Sequence, residues 1–279
     1  MKQGVLTIAI GSAAYQKFAA NLAVSIRAVS ELPITLLTDR EPFRPELFDK
    51  VIHIAPEDAY RFVMKDGHHR GIEPGRLKLN IDRYTPYDRT IYIDADSVAS
   101  KDISEIFEVH DAPFVSFLET LIPTDHPGRH KHMIWAKMTD IHEYLSEGQM
   151  PALNSSIIVF DNRAQNIFSR ARELHSKIEK YRKWGGAAPD ELYFNIACNN
   201  YAQYFQAIKD GHFVKGNSRE RNLNEYTILT MFGSNTQMSY HAKRCYKQLI
   251  DRASKETGHT AYSDINSLAK KKHVTANRA

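Results

Sequence analysis

The chain has only two cysteines, Cys198 and Cys245, too few for a disulfide framework and too far apart for a zinc-ligand pair. No apolar run approaches the roughly 20 residues needed to cross a bilayer, and the N-terminus lacks a basic segment ahead of a cleavage site. The expectation is therefore a cytoplasmic protein with no membrane element. Neither Gly-x-Gly-x-x-Gly nor Gly-x-x-x-x-Gly-Lys-[Ser/Thr] occurs, which argues against dehydrogenases and P-loop enzymes. Internal repeats and low-complexity linkers are also missing, so 279 residues at 42% hydrophobic read as one α/β domain with a sizeable core. Strong charge of one sign is lacking too. The net +4 comes largely from Lys270-Lys271-Lys272-His273 and Arg278, which reads as a solvated tail. The expected division is a domain over residues 1–255 and a polar basic tail over 256–279.

What is present is an abrupt change of character at Ile91-Tyr92-Ile93-Asp94-Ala95-Asp96-Ser97. A β-prone apolar run ends in two carboxylates one residue apart. With 17 Asp in the chain, about one Asp-x-Asp arises by chance, so the strand context gives the pair its meaning. Strands of open α/β sheets are apolar on both faces, and ligands gather beyond their carboxyl ends. Alternate residues of an extended chain point the same way, so Asp94 and Asp96 can aim at one hard cation, Mn²⁺ or Mg²⁺.

Around this point, strand and helix patterns alternate in the βαβ manner that favours a mostly parallel, twisted sheet flanked by helices. Strands are expected at 5–10, at 34–37 ending in Thr38-Asp39, at 51–54, at 114–117 and at 156–160. Ala14, Phe18, Leu22, Ile26 and Val29 recur at helical spacing and predict a helix over 14–30. Further helices are expected at 76–84, from 102, and at 163–181, where Ile167, Ala171, Leu174, Ile178 and Tyr181 share one face. Asp190-Glu191 directly precede an apolar stretch that can be a helix. The loops holding His68-His69-Arg70-Gly71, and His126, His130 and His132, read as polar, acceptor-facing or plain surface.

Taken in order, Thr7-Ile8-Ala9-Ile10-Gly11-Ser12-Ala13-Ala14-Tyr15, Asp39, Ile91-Tyr92-Ile93-Asp94-Ala95-Asp96, Asn154-Ser155-Ser156-Ile157-Ile158-Val159-Phe160 and Pro189-Asp190-Glu191 resemble glycosyltransferase family 8, the group that includes glycogenin, over roughly residues 5–245. The chain also resembles small glycosyltransferases of bacteriophage type. The resemblance implies a GT-A fold, a UDP-linked nucleotide-sugar donor, a Mn²⁺ bridging its diphosphate, and retention of configuration. By position it implies that Tyr15 stacks on the base and Asp39 hydrogen-bonds it. Ile8 and Ala95 lie in the same donor-binding segments, Lys78 lies where a basic residue meets the diphosphate, and Lys243 or Arg244 lies near the phosphates. Asp94 and Asp96 bind the metal. A third ligand is implied in a late His-x-x-Gly-x-x-Lys segment, for which Ser239-Tyr240-His241-Ala242-Lys243-Arg244 offers His241, without the glycine and with the lysine closer.

The chemistry is consistent with that picture. Breaking a sugar–phosphate bond releases a diphosphate, whose charge a carboxylate-held cation and a nearby lysine stabilise. Asn154, Ser155, Asp190 and Glu191 can accept hydrogen bonds from sugar hydroxyls. Two other readings stay open: a nucleotidylyltransferase, which would carry a Gly-rich basic loop where Gly11-Ser12-Ala13-Ala14 stands, and a non-catalytic nucleic-acid-binding module, which would interleave aromatic and basic residues. The acceptor is open between a glycan and a hydroxymethylated pyrimidine of DNA, which an enzyme would have to flip out of a duplex.

Overall fold

The computed structural model describes residues 1–55, 60–63, 69–72, 74–126, 137–178, 190–216, 222–230 and 240–262. The chain opens with β1 (Gln3–Ala9), α1 (Ala13–Arg27), β2 (Ile34–Thr38) and β3 (Lys50–His53), followed by β4 (Tyr60–Val63) and β5 (His69–Ile72). Next come α2 (Pro74–Lys78), α3 (Ile81–Tyr84), β6 (Arg89–Ile93), β7 (Ser97–Ala99) and α4 (Glu105–Val109). Then follow β8 (Phe114–Pro123), α5 (Met138–Ile141), β9 (Gln149–Asp161), α6 (Gln165–Lys177) and α7 (Asp190–Asn200). The last elements are β10 (Phe205–Ala207), β11 (Phe213–Lys215), β12 (Ile228–Thr230) and α8 (Tyr240–Thr257). The result is a mixed α/β fold with a seven-stranded main sheet and flanking helices, as the alternating pattern implies. Among the described residues no helix is long and apolar enough to cross a membrane.

Contacts group the chain into two compact units. One comprises residues 3–53, 93–109 and 209–279. Here β1, β2 and β3 pair in parallel, in register from Val5↔Ile34 to Ala9↔Thr38 and from Thr35↔Lys50 to Thr38↔His53. All but the first residue of β1 are buried, which explains its mainly apolar composition, with Thr7 the polar side chain among the buried ones. Helix α1 is rich in alanine and packs Phe18, Leu22 and Ile26, each at most 1% exposed. Helix α8 buries Ala242, Cys245, Tyr246, Leu249, Ile250 and Ala253, the i, i+3, i+4, i+7 spacing of an amphipathic helix. Asn21 of α1 ties it down, donating to the Tyr246 hydroxyl (3.3 Å) and the Tyr262 carbonyl (2.9 Å) and accepting from the Tyr262 amide (2.7 Å). A small sheet, β11-β12-β7, belongs to the same unit.

The other unit comprises residues 1–2, 54–92 and 110–208, with strands in the order β10-β8-β9-β6. β10 runs parallel to β8, whereas β8 and β9 are antiparallel, so the sheet, parallel at β1–β2, β2–β3 and β10–β8, contains an antiparallel pair. Phe114 and Phe160 from the sheet meet Phe168 of α6 and Phe194 of α7, with ring centroids 5.0 Å (Phe160–Phe168) to 5.8 Å (Phe114–Phe168) apart and mostly edge-on.

Several boundaries differ from the sequence reading. The helix expected at 76–84 is broken into α2 and α3, because the Asn80 amide donates to the Arg76 carbonyl (2.9 Å) and competes with the helical ladder. β9 starts at Gln149, seven residues before the expected strand at 156–160, with Pro151 and the polar Asn154-Ser155-Ser156 masking it; its partner β8 likewise runs on to Pro123. The short β7 precedes α4, and β4 with β5 forms a two-stranded antiparallel sheet where the reading had a polar loop around His69-Arg70-Gly71. Helix α8 continues to Thr257 and the chain stays bonded to Asn21 up to Tyr262, so residues 256–262 are part of the folded body. Residues 127–136, which carry His130 and His132, the end of the 163–181 helix, Pro189, and Lys270 to Arg278 lie outside the described residues.

Candidate active site

In the unit built on β1 to β3, the chain leaves β1 through Gly11, whose φ of 79° is the left-handed conformation that glycine adopts without strain. That turn aims the Gly11 amide at Asp39 Oδ2 (3.1 Å), just past β2. Asp39 is also gripped by Arg40, at 3.0 and 3.1 Å, and its side chain is 6% exposed. Gln16, buried in α1, donates to the Ala9 carbonyl (2.8 Å) and Thr38 Oγ1 (2.7 Å), locking the ends of β1 and β2. Tyr15 is half-buried in the first turn of α1, edge-on to Phe18 at 6.5 Å. Ile8 is 6% exposed and paired with Leu37 inside the sheet, so its side chain belongs to the core.

The two carboxylates follow β6 as the sequence implies, in a turn closed by the Ser97 amide donating to the Asp94 carbonyl (3.0 Å). Asp94 is half-buried, Ala95 is buried and Asp96 is 8% exposed. The Tyr246 hydroxyl is pushed well above the usual phenol range, mainly by burial, with the negative charge of Asp96 adding to it. The Asn21 side-chain amide donates to that hydroxyl (3.3 Å), a link between α1 and α8 that no local pattern along the chain reveals. His241 is exposed and Lys243 half-buried in the first turn of α8. Among the described residues no three His, Cys, Asp or Glu side chains form a group that could hold a metal ion, so Asp94, Asp96 and His241 are not a preassembled ligand set. Two hard oxygen donors on one turn still suit Mn²⁺ or Mg²⁺ completed by a ligand's oxygens and water.

The other unit gathers the remaining candidates on an irregular stretch of sheet. The β8–β9 register runs Ser116↔Ile158 and then jumps to Phe117↔Asn154, so residues 155–157 bulge out of the ladder. Asn154 and Ser116 shape the bulge: Asn154 Oδ1 accepts from the Ser156 amide (3.1 Å), and the Ser116 hydroxyl donates to the carbonyls of Asn154 (3.1 Å) and Ile157 (2.9 Å). The bulged Ser155 meets Lys78, whose ammonium lies 3.3 Å from its hydroxyl and 3.4 Å from its carbonyl. That ammonium is also 3.7 Å from Asp190 Oδ2 and 5.4 Å from the centre of the Tyr92 ring. Lys78 and Asp190 are each 9% exposed, a near-buried ion pair.

Beside them, Glu191 Oε1 accepts from the Ser155 amide at 3.5 Å. Burial pushes the Glu191 carboxyl up to about 7, the charge of Asp190 reinforces the shift, and Lys78 opposes it. Glu119 adds to the same upward push, and it sits at a second register shift, between Leu118 and Thr120. The structure thus brings together Lys78, Asn154, Ser155, Asp190 and Glu191. Glu119 and Tyr92 join them unannounced by the sequence, since a bulge depends on pairing between strands that periodicity does not reveal.

No protein-family model and no curated protein matches the chain. Solved structures do. The chain matches the galactosyltransferase LgtC in complex with donor and acceptor sugar analogs at a TM-score of 0.56, with 11% identity over 95% of this chain and 99% of that one. It matches the glycosyltransferase GlyE of Streptococcus pneumoniae TIGR4 at 0.57, with 12% identity over 94% of this chain and 66% of that one. Mouse xyloside xylosyltransferase 1 follows at 0.50, with 13% identity, 86% of this chain and 100% of that one. This chain has the fold of GT-A glycosyltransferases.

Proposed function

We propose that this chain is a divalent-metal-dependent glycosyltransferase that moves a sugar from a UDP-linked donor to a carbohydrate hydroxyl with retention of configuration. The observation that carries the reading is the Lys78–Asp190–Glu191 cluster on the β9 bulge: two carboxylates 112 and 113 positions from Lys78 along the chain converge on it, with Lys78 and Asp190 nearly buried, in a GT-A fold. Charges are not brought that far out of water for packing alone. The hexosyl or pentosyl nature of the sugar is left to the donor screen below.

Each group then has a task. Tyr15 offers a ring face to the base and Asp39 an acceptor for a base N–H, with the β1 segment at Ile8 and the turn at Ala95 lining the nucleotide. Asp94 and Asp96, with His241 as the third candidate ligand, would hold the cation. When bound, it supplies Lewis-acid neutralisation of the diphosphate leaving group. Lys243 adds positive charge at the diphosphate, and Lys78 keeps Asp190 compensated while that carboxylate orients sugar hydroxyls. Glu191, with its ionisation poised near neutrality, can hold or release a proton within the same cluster. Asn154 supports these groups by holding the bulge in shape.

The test is a thermal-shift and turnover screen of UDP-, GDP- and dTDP-sugars, with and without Mn²⁺, since a true donor stabilises the fold by mass action. The expected result is Mn²⁺-dependent stabilisation by a UDP-sugar and transfer to a saccharide. Release of pyrophosphate from a nucleoside triphosphate would replace the reading with a nucleotidylyltransferase. Transfer to hydroxymethylated DNA but not to saccharides would change the acceptor, and nucleic-acid binding without turnover would leave a binding module.

A further inference from the structure

At the far end of β9 from the bulge, a cavity of about 290 Å³ opens to solvent. Asn154 pairs with Phe117 and Phe160 with Phe114, so the two levels lie three residues of β8 apart, roughly 10 Å at ~3.3 Å per residue, and none of the residues lining the cavity belongs to the Lys78–Asp190 cluster. Tyr87 and Phe160, 8% and 2% exposed, make its floor. Its walls carry Asp82, Asp88, Asp161, Thr85, Asn162 and Gln165.

Three carboxylates suggest a cation trap, but their partners argue otherwise. Asp82 accepts from Arg172 (2.6 Å), Asp161 is chelated by Arg163 through its backbone amide (2.8 Å) and guanidinium (2.7 Å), and Asp88 accepts from the Lys2 amide (2.7 Å). The Lys2 ammonium lies 5.4 Å from the Tyr87 ring centre and Arg89 acts on Asp161, so the carboxylates already stand among positive charges. Asp161 is fully taken up by four contacts from Arg163, but the oriented carboxylates of Asp82 and Asp88, beside the donor–acceptor amides of Asn162 and Gln165 and the hydroxyl of Thr85, suit hydroxyl groups that both donate and accept. The lining lacks the apolar walls a lipid tail needs and the convergent cations a phosphate needs. The volume equals roughly ten waters at ~30 Å³ each, the lower end of small-molecule sites and enough for a pyranose ring.

We propose that this cavity is a second carbohydrate-binding site for a neutral saccharide. The inference does not depend on the transferase reading, because a saccharide can bind here with or without turnover elsewhere. The experiment is saturation-transfer-difference NMR on the full chain, with methyl β-D-galactopyranoside, methyl α-D-glucopyranoside and, as a cationic probe, putrescine. Asn162→Trp, at an exposed position, fills the cavity, and Asp190→Asn disables the other cluster. At least one glycoside is expected to give a signal in the wild type and in Asp190→Asn that Asn162→Trp abolishes, with unchanged melting of Asn162→Trp confirming its fold. No glycoside signal in the wild type, a putrescine signal alone, or a glycoside signal lost in Asp190→Asn and kept in Asn162→Trp would each overturn it.

Discussion

Replacing Glu191 with Gln isolates the electrostatics of the bulge cluster. The folded protein holds the Glu191 carboxyl at about 7 against an ordinary 4.5, chiefly because burial penalises the charge and Asp190 repels it. Below pH 4.5 the group is protonated in both folded and unfolded chains. Between 4.5 and about 7 the folded chain keeps a proton that the unfolded chain releases, so stability falls as pH rises, and the loss is complete above about 7. At roughly 1.4 kcal/mol per pKa unit, the full loss is on the order of 3 kcal/mol. Gln mimics the protonated acid, keeps an oxygen for the Ser155 amide and cannot ionise. Urea denaturation of wild type and Glu191→Gln from pH 4.5 to 8.5 should give curves that coincide at the acid end and diverge toward pH 8, with the variant more stable there by that order. Parallel curves across the whole range would refute the reasoning, because Glu191 would then ionise normally in the fold.

Asp96→Asn should leave the urea midpoint near that of the wild type while abolishing donor turnover and the Mn²⁺-dependent part of UDP stabilisation in thermal shift; full activity of the variant in chelator would remove Asp96 from the metal site. Lys78→Met should destabilise by about 3 kcal/mol, since it strands the 9%-exposed Asp190, and Lys78→Met with Asp190→Asn should recover part of that loss in a double-mutant cycle; additive losses would show that the pair is not coupled. Tyr15→Ala should weaken UDP binding by about 1–3 kcal/mol in calorimetry with little change in melting temperature, as expected for a lost base–aromatic stack, whereas unchanged affinity would make Tyr15 a packing residue of α1.

Elements whose signal is local were readable along the chain. The buried strands β1, β2 and β6 are predominantly apolar and β-branched because both of their faces are covered, and α1 shows its stripe of Phe18, Leu22 and Ile26 directly. The carboxylates at the end of β6 were legible for the same reason, an abrupt switch from apolar to acidic at a strand end. Helix α8 was legible too, in the spacing of Ala242, Cys245, Tyr246, Leu249, Ile250 and Ala253, yet the sequence reading took its first turn only as a source of His241. In the structure that histidine is exposed, and the charge of Asp96 acts on Tyr246, buried further along α8.

By itself, then, the sequence determined the alternation of strand and helix, the acidic turn, and Asp190-Glu191 at a helix start, because each rests on neighbours within a few residues. Only the tertiary structure decided that Lys78 faces Asp190 and Ser155, that Asn154 braces a bulge, that Glu119 adds its charge to Glu191, and that Asn21 ties Tyr246 to Tyr262. Each of these depends on strand register and on close approach between segments dozens to hundreds of residues apart. Burial at those contacts then sets ionisation and hydrogen-bonding roles that no local pattern encodes.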